Sequence, residues 1–395
     1  MKTHHTDILI IGGGLVGTSL AIALSSSFKV TVLEKQTPDL SQPFDVNSRP
    51  ISLSYRSYQI LNEMGVWAAL KDYASPIRKV HVSSTGALGS TCFKAEEEHL
   101  AALGFVVPFD VLHKTLFKKM QEQKNIHLQA IDTLHAMDYR DSKTEVSASL
   151  KDQSFHFSAD LLMGCDGTHS RVRELAKIEV KTDHYQKIAL TGRVQLKRSH
   201  DYTAYERFSK EGIIAFLPLK EEKECAFVWS VDKDFYEKLN QDDRAVFLKK
   251  LQHHFGYRLG KIMSAERLAH FPLTSLIAAH PIRPGLVLVG NAAHTLLPIA
   301  AQGFNLSLRD AQTLHELLRK AKTNGESIQS FALLERYLAE RMSDQQAVAT
   351  LIQRVMTIYD SNWPGIKVLR SAGLMLTDLC FPLKKRLARQ AIGFV

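Results

Sequence analysis

The fold of this chain is decided by residues 290–310, GNAAHTLLPIAAQGFNLSLRD. The apolar run LVLV at residues 286–289 precedes it and predicts a buried strand. The periodic stretch at residues 306–318 predicts a helix. A strand, a turn of small residues and a glycine-containing helix start form an anion cradle, because the first amides of a helix carry partial positive charge. We call residues 290–310 the second cradle.

A related pattern stands near the start of the chain, and we call residues 12–34 the first cradle. An apolar run at residues 7–11 predicts a strand, and glycines follow it with the spacing G-x-G-x-x-G. Gly12 permits a tight turn, Gly14 lets the backbone approach a pyrophosphate, and Gly17 lets the helix lie close to the strand. The pattern therefore predicts a strand, a phosphate-binding turn and a helix in this order.

Glu34 ends the second predicted strand, residues 29–33. It lies about 20 residues past the glycines, where a carboxylate accepts the hydroxyls of an adenosine ribose. A carboxylate there would repel a 2′-phosphate, so NADP is a poor ligand for this cradle. The whole pattern predicts a dinucleotide site, and two cradles at opposite ends of the chain predict one long ligand held by both.

The N-terminal stretch has two other interpretations, a secretory signal and a membrane span, because residues 8–23 are mostly apolar and Lys2 precedes them. The glycines would weaken a signal helix, no clean cleavage site follows, and the stretch is short for a span. The four cysteines of the chain lack C-x-x-C spacing, which predicts reduced thiols and neither a zinc site nor a redox pair. We predict no metal site.

The composition of the 395 residues, 45% hydrophobic, allows a large core and two domains. The net charge of +9 indicates either a solvated basic surface or a membrane-surface role. Nucleic acid is not a predicted partner, because no binding motif and no interleaved aromatics accompany the basic residues. A basic amphipathic end can lie on anionic lipid. Such an end is formed here by Lys384, Lys385, Arg386 and Arg389 beside Leu374, Met375, Leu376, Leu379, Phe381, Leu383 and Leu387.

Two further positions in the chain have open interpretations. Asp166 ends an apolar strand in the motif DLLMGCDG, residues 160–167, and is either a turn former or N-cap, or an acceptor for ribityl or ribose hydroxyls. Arg49 lies at a predicted loop-to-helix junction and is either a surface arginine or a phosphate or flavin contact. Residues 185–275 are predicted to form mainly strands with turns, which indicates a separate, mostly antiparallel sheet.

Three motifs stand in order along the chain: the first cradle, the Asp-Gly pair at 166–167 and the second cradle. Together they resemble the FAD monooxygenases of the para-hydroxybenzoate hydroxylase type, and the resemblance covers nearly the whole chain. Within that group the chain is similar to the ubiquinone-biosynthesis hydroxylases, most of all to the UbiH branch, which acts on 2-polyprenyl-6-methoxyphenol. Asn291, where the wider family has Asp, is typical of this branch, whereas Ala301 and Ser307 stand where glycine is usual. The similarity is carried by Arg49, ISL at 51–53, GVW at 65–67, FPL at 271–273, residues 298–310 and PLKKRLARQ at 382–390.

The resemblance implies an α/β fold: a Rossmann-like FAD-binding domain, an inserted, mostly antiparallel β-sheet substrate domain and a helical C-terminus. We predict the FAD-binding domain at 1–75, 102–180 and 277–345, the substrate domain at 76–101 and 181–276, and the C-terminal helical region at 346–395.

The resemblance also implies an activity. In such enzymes NAD(P)H reduces FAD, O₂ adds to give a flavin C4a-hydroperoxide, and its distal oxygen attacks a phenol ring. The implied partners are a polyprenylated phenol and other ubiquinone-biosynthesis proteins, with a cytoplasmic location and a peripheral contact at the inner face of the cytoplasmic membrane. Two alternatives are an FAD-binding, non-catalytic accessory subunit of a membrane-associated complex, and a flavin reductase acting on a prenyl lipid.

The predicted site is dominated by cofactor contacts. Pro298 and Gly303 are expected in a flavin-facing loop, and His294 next to the nucleotide is expected to make a structural hydrogen bond. No general base for the phenol is assigned. The predicted cofactor contacts are Gly12, Gly14, Leu15, Val16, Gly17, Glu34, Lys35, Arg49, Asp166, Gly290, Asn291, Pro298, Gly303, Phe304 and Asn305.

Overall fold

The computed structural model describes residues 3–86, 89–209, 211–298, 302–360 and 366–394. Within these residues the strands are β1 (Thr3–Ile11), β2 (Val30–Glu34), β3 (Pro50–Ser54), β4 (Ser75–Ile77), β5 (Lys79–Ser84), β6 (Ser90–Lys94), β7 (Gly104–Pro108), β8 (Ile126–Ala130), β9 (Thr133–Arg140), β10 (Lys143–Leu150), β11 (Gln153–Gly164), β12 (Val180–Leu196), β13 (Thr203–Ser209), β14 (Gly212–Pro218), β15 (Glu224–Asp232), β16 (Ile262–Ala278), β17 (Ile282–Arg283), β18 (Leu286–Leu288) and β19 (His294–Thr295). The helices are α1 (Leu15–Leu24), α2 (Tyr55–Glu63), α3 (Trp67–Leu70), α4 (Phe109–Gln121), α5 (Arg171–Leu175), α6 (Lys233–Gln241), α7 (Arg244–Phe255), α8 (Gln302–Thr323), α9 (Phe331–Asp360), α10 (Ile366–Leu379) and α11 (Phe381–Ile392).

The first sheet is built around β1, whose residues Ile8, Leu9 and Ile10 are fully buried. Strands buried on both faces are typical of parallel sheets covered by helices. The order is β17-β18-β11-β1-β2-β8, with β10 and β9 added antiparallel beside β11. The strands β8, β2, β1, β11 and β18 run parallel, so their carboxyl ends meet at one edge. All three sequence motifs follow strands at this edge.

The second sheet has the order β19-β16-β12-β15-β14-β13-β5-β6 and is antiparallel except for the β13–β5 pair. One apolar cluster joins it to α7 through Trp229, Phe247 and Phe255. Another cluster joins it to α8 and α9. A third, small sheet has the order β3-β7-β4. The second sheet and the parallel sheet confirm the predicted α/β class with its mostly antiparallel insertion.

The C-terminal helices cover an edge of the second sheet, where an open strand would expose unpaired backbone groups. The Thr91 hydroxyl on β6 donates to the carbonyl of Leu374 on α10 at 2.7 Å, and Lys384 on α11 pairs with Glu97 at 3.2 Å. The helical C-terminus of the prediction is thus confirmed. The predicted boundary between residues 345 and 346 falls inside α9, and the division into domains stays a prediction.

Candidate functional site

The first cradle is shaped by glycines that the neighbouring backbone requires. Gly12 has φ +101°, and an added Cβ would lie 2.5 Å from the carbonyl oxygen of Cys165. An added Cβ on Gly17 would lie 1.8 Å from the Gly12 oxygen. Gly14 caps α1, and apart from its chain neighbours no described residue has an atom within 4 Å of such a position. The N-terminus of α1 therefore faces open space, as a phosphate-binding turn requires.

Glu34 lies beside this turn. Its Oε2 accepts the N–H of Gly13, and its Oε1 accepts the N–H of Gln36 at 2.8 Å. These bonds orient the carboxylate toward the glycine turn. Among the other predicted contacts, Leu15 and Val16 are half-buried in the first turn of α1, and Lys35 is exposed.

The two carboxylate oxygens of Asp166 have different environments. Its Oδ2 accepts the N–H of Val172 at 3.0 Å and so caps the short helix α5. Its Oδ1 is buried and has no hydrogen-bond partner among the described residues. A buried acceptor without a partner is costly in a protein and suits a ligand hydroxyl. The structural interpretation of Asp166 thus accounts for one oxygen and leaves the other for a ligand.

The second cradle lies against the first. Gly290 has φ +66°, and an added Cβ would lie 3.0 Å from a methyl group of Val16. Asn291 is exposed in the following turn, and its carbonyl accepts the hydroxyl of Thr295 at 3.0 Å. The Thr295 hydroxyl also lies 3.1 Å from that of Thr168, beside the Asp-Gly motif. The three motifs therefore form one continuous surface.

Arg173 links the Asp-Gly motif to the second cradle, a role that we did not assign from the sequence. Its guanidinium donates to the carbonyl of Thr168 at 2.8 Å and to that of Ala292 at 3.0 Å. Arg173 thereby holds the Asp-Gly motif and the second cradle together. Its position in the chain, seven residues after Asp166, gave no separate signal for this contact.

The described part of helix α8 begins at Gln302, earlier than the periodic stretch at 306–318 and close to the glycine-containing start that the sequence predicts. Gly303 therefore lies in the first turn of a helix and not in the loop that we predicted. Apart from its chain neighbours and its own helix backbone, no described residue has an atom within 4 Å of a Cβ added to Gly303. The Asn305 Oδ1 accepts the N–H of Ser54 at 2.9 Å, and its Nδ2 donates to the carbonyl of Ser52 at 3.0 Å. Its side chain therefore ties α8 to β3.

The remaining predicted contacts lie around this helix start. Arg49 is exposed just before β3, and its guanidinium carbon lies 4.4 Å from the ring centroid of Phe109, so its contact with a ligand stays a prediction. Phe304 and Pro298 are half-buried. Ala301, one of the departures from the resembled family, lies outside the described residues.

Beneath the second cradle lies a buried charged network. The His294 Nε2 is 2.8 Å from Asp310 Oδ2, the structural hydrogen bond that the sequence favours. The Asp310 Oδ1 accepts Arg341 Nε at 2.6 Å. Arg341 also bonds to Asp344, which accepts Arg309 Nε at 2.8 Å. Burial alone would raise the pKa of Asp310, but His294 and Arg341 lower it to about 2.

Taken together, these groups can hold a long dianionic ligand. Glu34, the glycine turn, Asp166 and Gly290 follow the ends of β2, β1, β11 and β18, which are neighbours in the sheet. Three strand spacings of about 4.8 Å give a row of roughly 14 Å. The structure also has a cavity of about 410 Å³ among α1, α2, α4 and α8, but no predicted cofactor contact lines it.

Comparison with known proteins places this geometry in a family. A family model described as "FAD binding domain" matches residues 5–351. The 3-demethoxyubiquinol 3-hydroxylase of Escherichia coli (strain K12) is 31% identical over 100% of both chains. The ubiquinone hydroxylase UbiL of Rhodospirillum rubrum is 29% identical over 98% of this chain and 89% of that protein.

Solved structures agree in fold. The crystal structure of the p-nitrophenol 4-monooxygenase PnpA from Pseudomonas putida DLL-E4 superposes with a TM-score of 0.79 at 15% identity, covering 100% of this chain and 99% of that chain. At this identity the likeness concerns the fold alone. In the part of the chain that is described, no helix is long and apolar enough to cross a membrane.

Proposed function

The chain belongs to the FAD-binding-domain family, among the flavin hydroxylases of ubiquinone biosynthesis, and on this premise we propose that it hydroxylates the ring of a polyprenylated phenol. FAD is the cofactor, O₂ the co-substrate and NAD(P)H the proposed electron donor. The observation that carries the proposal is the row of groups able to bind a ligand at one edge of the parallel sheet, formed by Glu34, the glycine turn, Asp166 and Gly290. Among the described residues, none fills the space beside Gly14 and Gly303 at the two helix starts, and none is a hydrogen-bond partner of the buried Asp166 Oδ1.

Each group of the row binds a different part of FAD. The amides at the start of α1 bind the pyrophosphate, and Glu34 accepts the ribose hydroxyls. Asp166 Oδ1 accepts a hydroxyl of the sugar chain. The first amides of α8 stabilise negative charge on the flavin end of the ligand. When bound, FAD supplies the redox chemistry that transfers an oxygen atom from O₂ to the ring.

An apolar layer lies beside the second cradle. Leu297 and Leu306 flank the flavin-facing segment and pack with Leu273 of the second sheet and with Val348 and Ile352 of α9. All five side chains are buried, so the layer keeps water away from the adjoining segment. We propose that the isoprenoid tail of the substrate leaves the site between the second sheet and the C-terminal helices.

Two ring systems compete as substrate. The resemblance to the UbiH branch favours a 2-polyprenyl-6-methoxyphenol, whereas the name of the Escherichia coli relative points to a demethoxyubiquinol. The test uses protein reconstituted with FAD, NADH or NADPH, isotopically labelled O₂ and a short-chain version of each ring. We expect one ring to gain a labelled oxygen atom and to accelerate NAD(P)H oxidation. Flavin-bound protein that labels neither ring, and makes only hydrogen peroxide, would contradict the proposal.

We further propose that the C-terminal elbow, residues 375–389, rests on the inner face of the cytoplasmic membrane, where other ubiquinone-biosynthesis proteins are the expected partners. Leu376, Leu379 and Phe381 expose 59, 78 and 59% of their surface. The exposed basic residues of the elbow, Lys385 among them, complement anionic lipid.

Vesicle sedimentation tests this contact. The protein should bind phosphatidylglycerol vesicles more tightly than phosphatidylcholine vesicles, and Leu379→Glu should abolish binding while FAD content stays unchanged. Equal binding to both vesicles, or full binding by the variant, would contradict it.

A further inference from the structure

His294 belongs to two parts of the molecule at once. Its backbone pairs with Ile277 at the edge of the second sheet, as strand β19 against β16. Its side chain reaches Asp310 on α8, which packs on the parallel sheet unit. Residues 294 and 310 lie near the two ends of the second cradle in the chain, so their hydrogen bond links those two ends.

The partners of this bond are withdrawn from water. His294 and Asp310 are 6 and 0% exposed, and Arg341 and Asp344 are 8 and 2% exposed. Gln345 adds a further bond to Asp310 Oδ1 at 3.1 Å. Buried polar groups that lose a partner find no water in its place, so a satisfied network of this kind fixes one geometry.

The proton of the pair can be assigned from the charges. Asp310 and Asp344 face Arg309 and Arg341, so the four charges balance. Asp310 is ionised at neutral pH and accepts, and the His294 Nε2 therefore donates. The His294 Nδ1 is buried and has no partner among the described residues. A single side-chain hydrogen bond thus sets the orientation of the ring.

The position of this ring controls the turn before it. The N–H of Ala293 donates to the carbonyl of Gly290 at 2.9 Å, and the carbonyl of Ala293 accepts the N–H of Ala278 at 2.8 Å. On the other side, Asp310 lies eight residues after Gln302, about 12 Å along a rigid helix. Holding His294 to Asp310 therefore holds the Gly290 turn at a set distance from the first turn of α8.

We propose that His294 is a positioning residue of the FAD site, whose bond to Asp310 sets the spacing between the Gly290 turn and the start of α8. This inference rests on the proposed function, since it requires FAD in the two cradles. It assigns His294 neither contact with substrate nor proton transfer. Its removal should change how tightly FAD binds and how easily it is reduced.

Three variants test this role. His294→Leu removes the donor, whereas His294→Gln places an amide N–H near the position of Nε2 and keeps it. His200→Leu is the matched control, because His200 is 1% exposed and its Nε2 lies 3.1 Å from the carbonyls of Leu219 and Glu221, neither of which belongs to a cradle. The readouts are the dissociation constant of FAD, the flavin midpoint potential and the unfolding midpoint.

We expect His294→Leu to weaken FAD binding at least about tenfold and to shift the flavin potential, with His294→Gln close to wild type in both. His200→Leu should lower the unfolding midpoint and leave FAD affinity unchanged. His294→Leu with wild-type FAD affinity and potential would overturn the inference, as would an equal loss of affinity in His200→Leu.

A further variant keeps the test possible if His294→Leu misfolds. If His294→Leu does not fold, His294→Asn carries the same expectation, because its shorter amide keeps the position polar but ends short of Asp310. Wild-type protein without FAD affinity would overturn the proposed function and this role together. Wild-type protein that binds FAD, beside an unaffected His294 variant, would overturn this role alone.

Discussion

The two cradles serve one ligand but are built differently. The first is made by the local backbone: carbonyl oxygens leave no room for a Cβ on Gly12 or Gly17, and Glu34 accepts the N–H of Gly13. The second is held from outside, by Arg341 and Asp344 on α9. Backbone cradles depend on residue size at single positions. Cradles held by distant charges depend on pairs of residues that the sequence separates.

The largest expected effect comes from filling the first cradle. Gly17→Val should destabilise the protein by at least about 4 kcal/mol, because its Cβ would overlap the Gly12 carbonyl. Urea unfolding measures the loss. Gly14→Ala is the control, since open space surrounds that position: it should cost less than about 1 kcal/mol and still weaken FAD binding. Similar stability losses in both variants would remove the distinction between a packed and a ligand-facing glycine.

The second cradle should be disrupted by removing one charge of its buried network. Arg341→Met leaves Asp310 and Asp344 buried with too little positive charge, and should cost about 3–5 kcal/mol of unfolding free energy. Arg336→Met on the same helix is the control, because its pair with Glu326 is exposed and worth less than about 1 kcal/mol. Thermal and urea unfolding of both variants decide the matter. A loss in Arg341→Met no larger than in the control would mean that the network does not hold the cradle.

The first cradle is built locally and the second is held by distant charges, so the sequence predicts the first more completely than the second. Glycine spacing and a carboxylate at a fixed offset lie within one short segment, so the first cradle was predicted in full outline. Arg341 and Asp344 were missed. A signal existed, because they occupy the same helical stripe as the buried residues Tyr337, Val348 and Ile352. Charges at apolar positions of a helix indicate a buried partner, but its identity requires the fold.

The stability that Asp310 of the second cradle contributes should depend on pH. The pKa of Asp310 is lowered in the folded chain to about 2 from 3.8. A lowered carboxyl pKa stabilises the fold above the unfolded pKa, and this contribution disappears as pH falls from about 4 toward 2. It amounts to about 2 kcal/mol. We therefore expect the stability difference between wild type and Asp310→Asn to shrink by about 1.5 kcal/mol between pH 5 and pH 2.5 in urea titrations, because the folded carboxyl is still partly ionised at pH 2.5. A constant difference would contradict the assigned ionisation.

The smallest expected effect lies at the ribose end of the first cradle. Glu34→Gln keeps an acceptor for the Gly13 N–H and loses the negative charge. We expect unchanged stability and FAD affinity about tenfold lower, or about 1.4 kcal/mol. Riboflavin, which lacks the adenosine ribose, should bind wild type and variant alike. Fluorescence titration with both ligands gives the answer, and an equal loss for riboflavin would assign Glu34 to another part of the ligand.

The most direct test of the account asks whether both cradles hold one molecule of FAD. Binding of FAD and of ADP is measured by calorimetry for wild type, Gly14→Ala and Gly303→Ala. One FAD per chain should bind in competition with ADP. Gly14→Ala should weaken both ligands, and Gly303→Ala should weaken FAD while ADP binding stays unchanged. Simultaneous binding of FAD and ADP, or a Gly303→Ala variant with wild-type FAD affinity, would contradict a single ligand clasped by both ends of the chain.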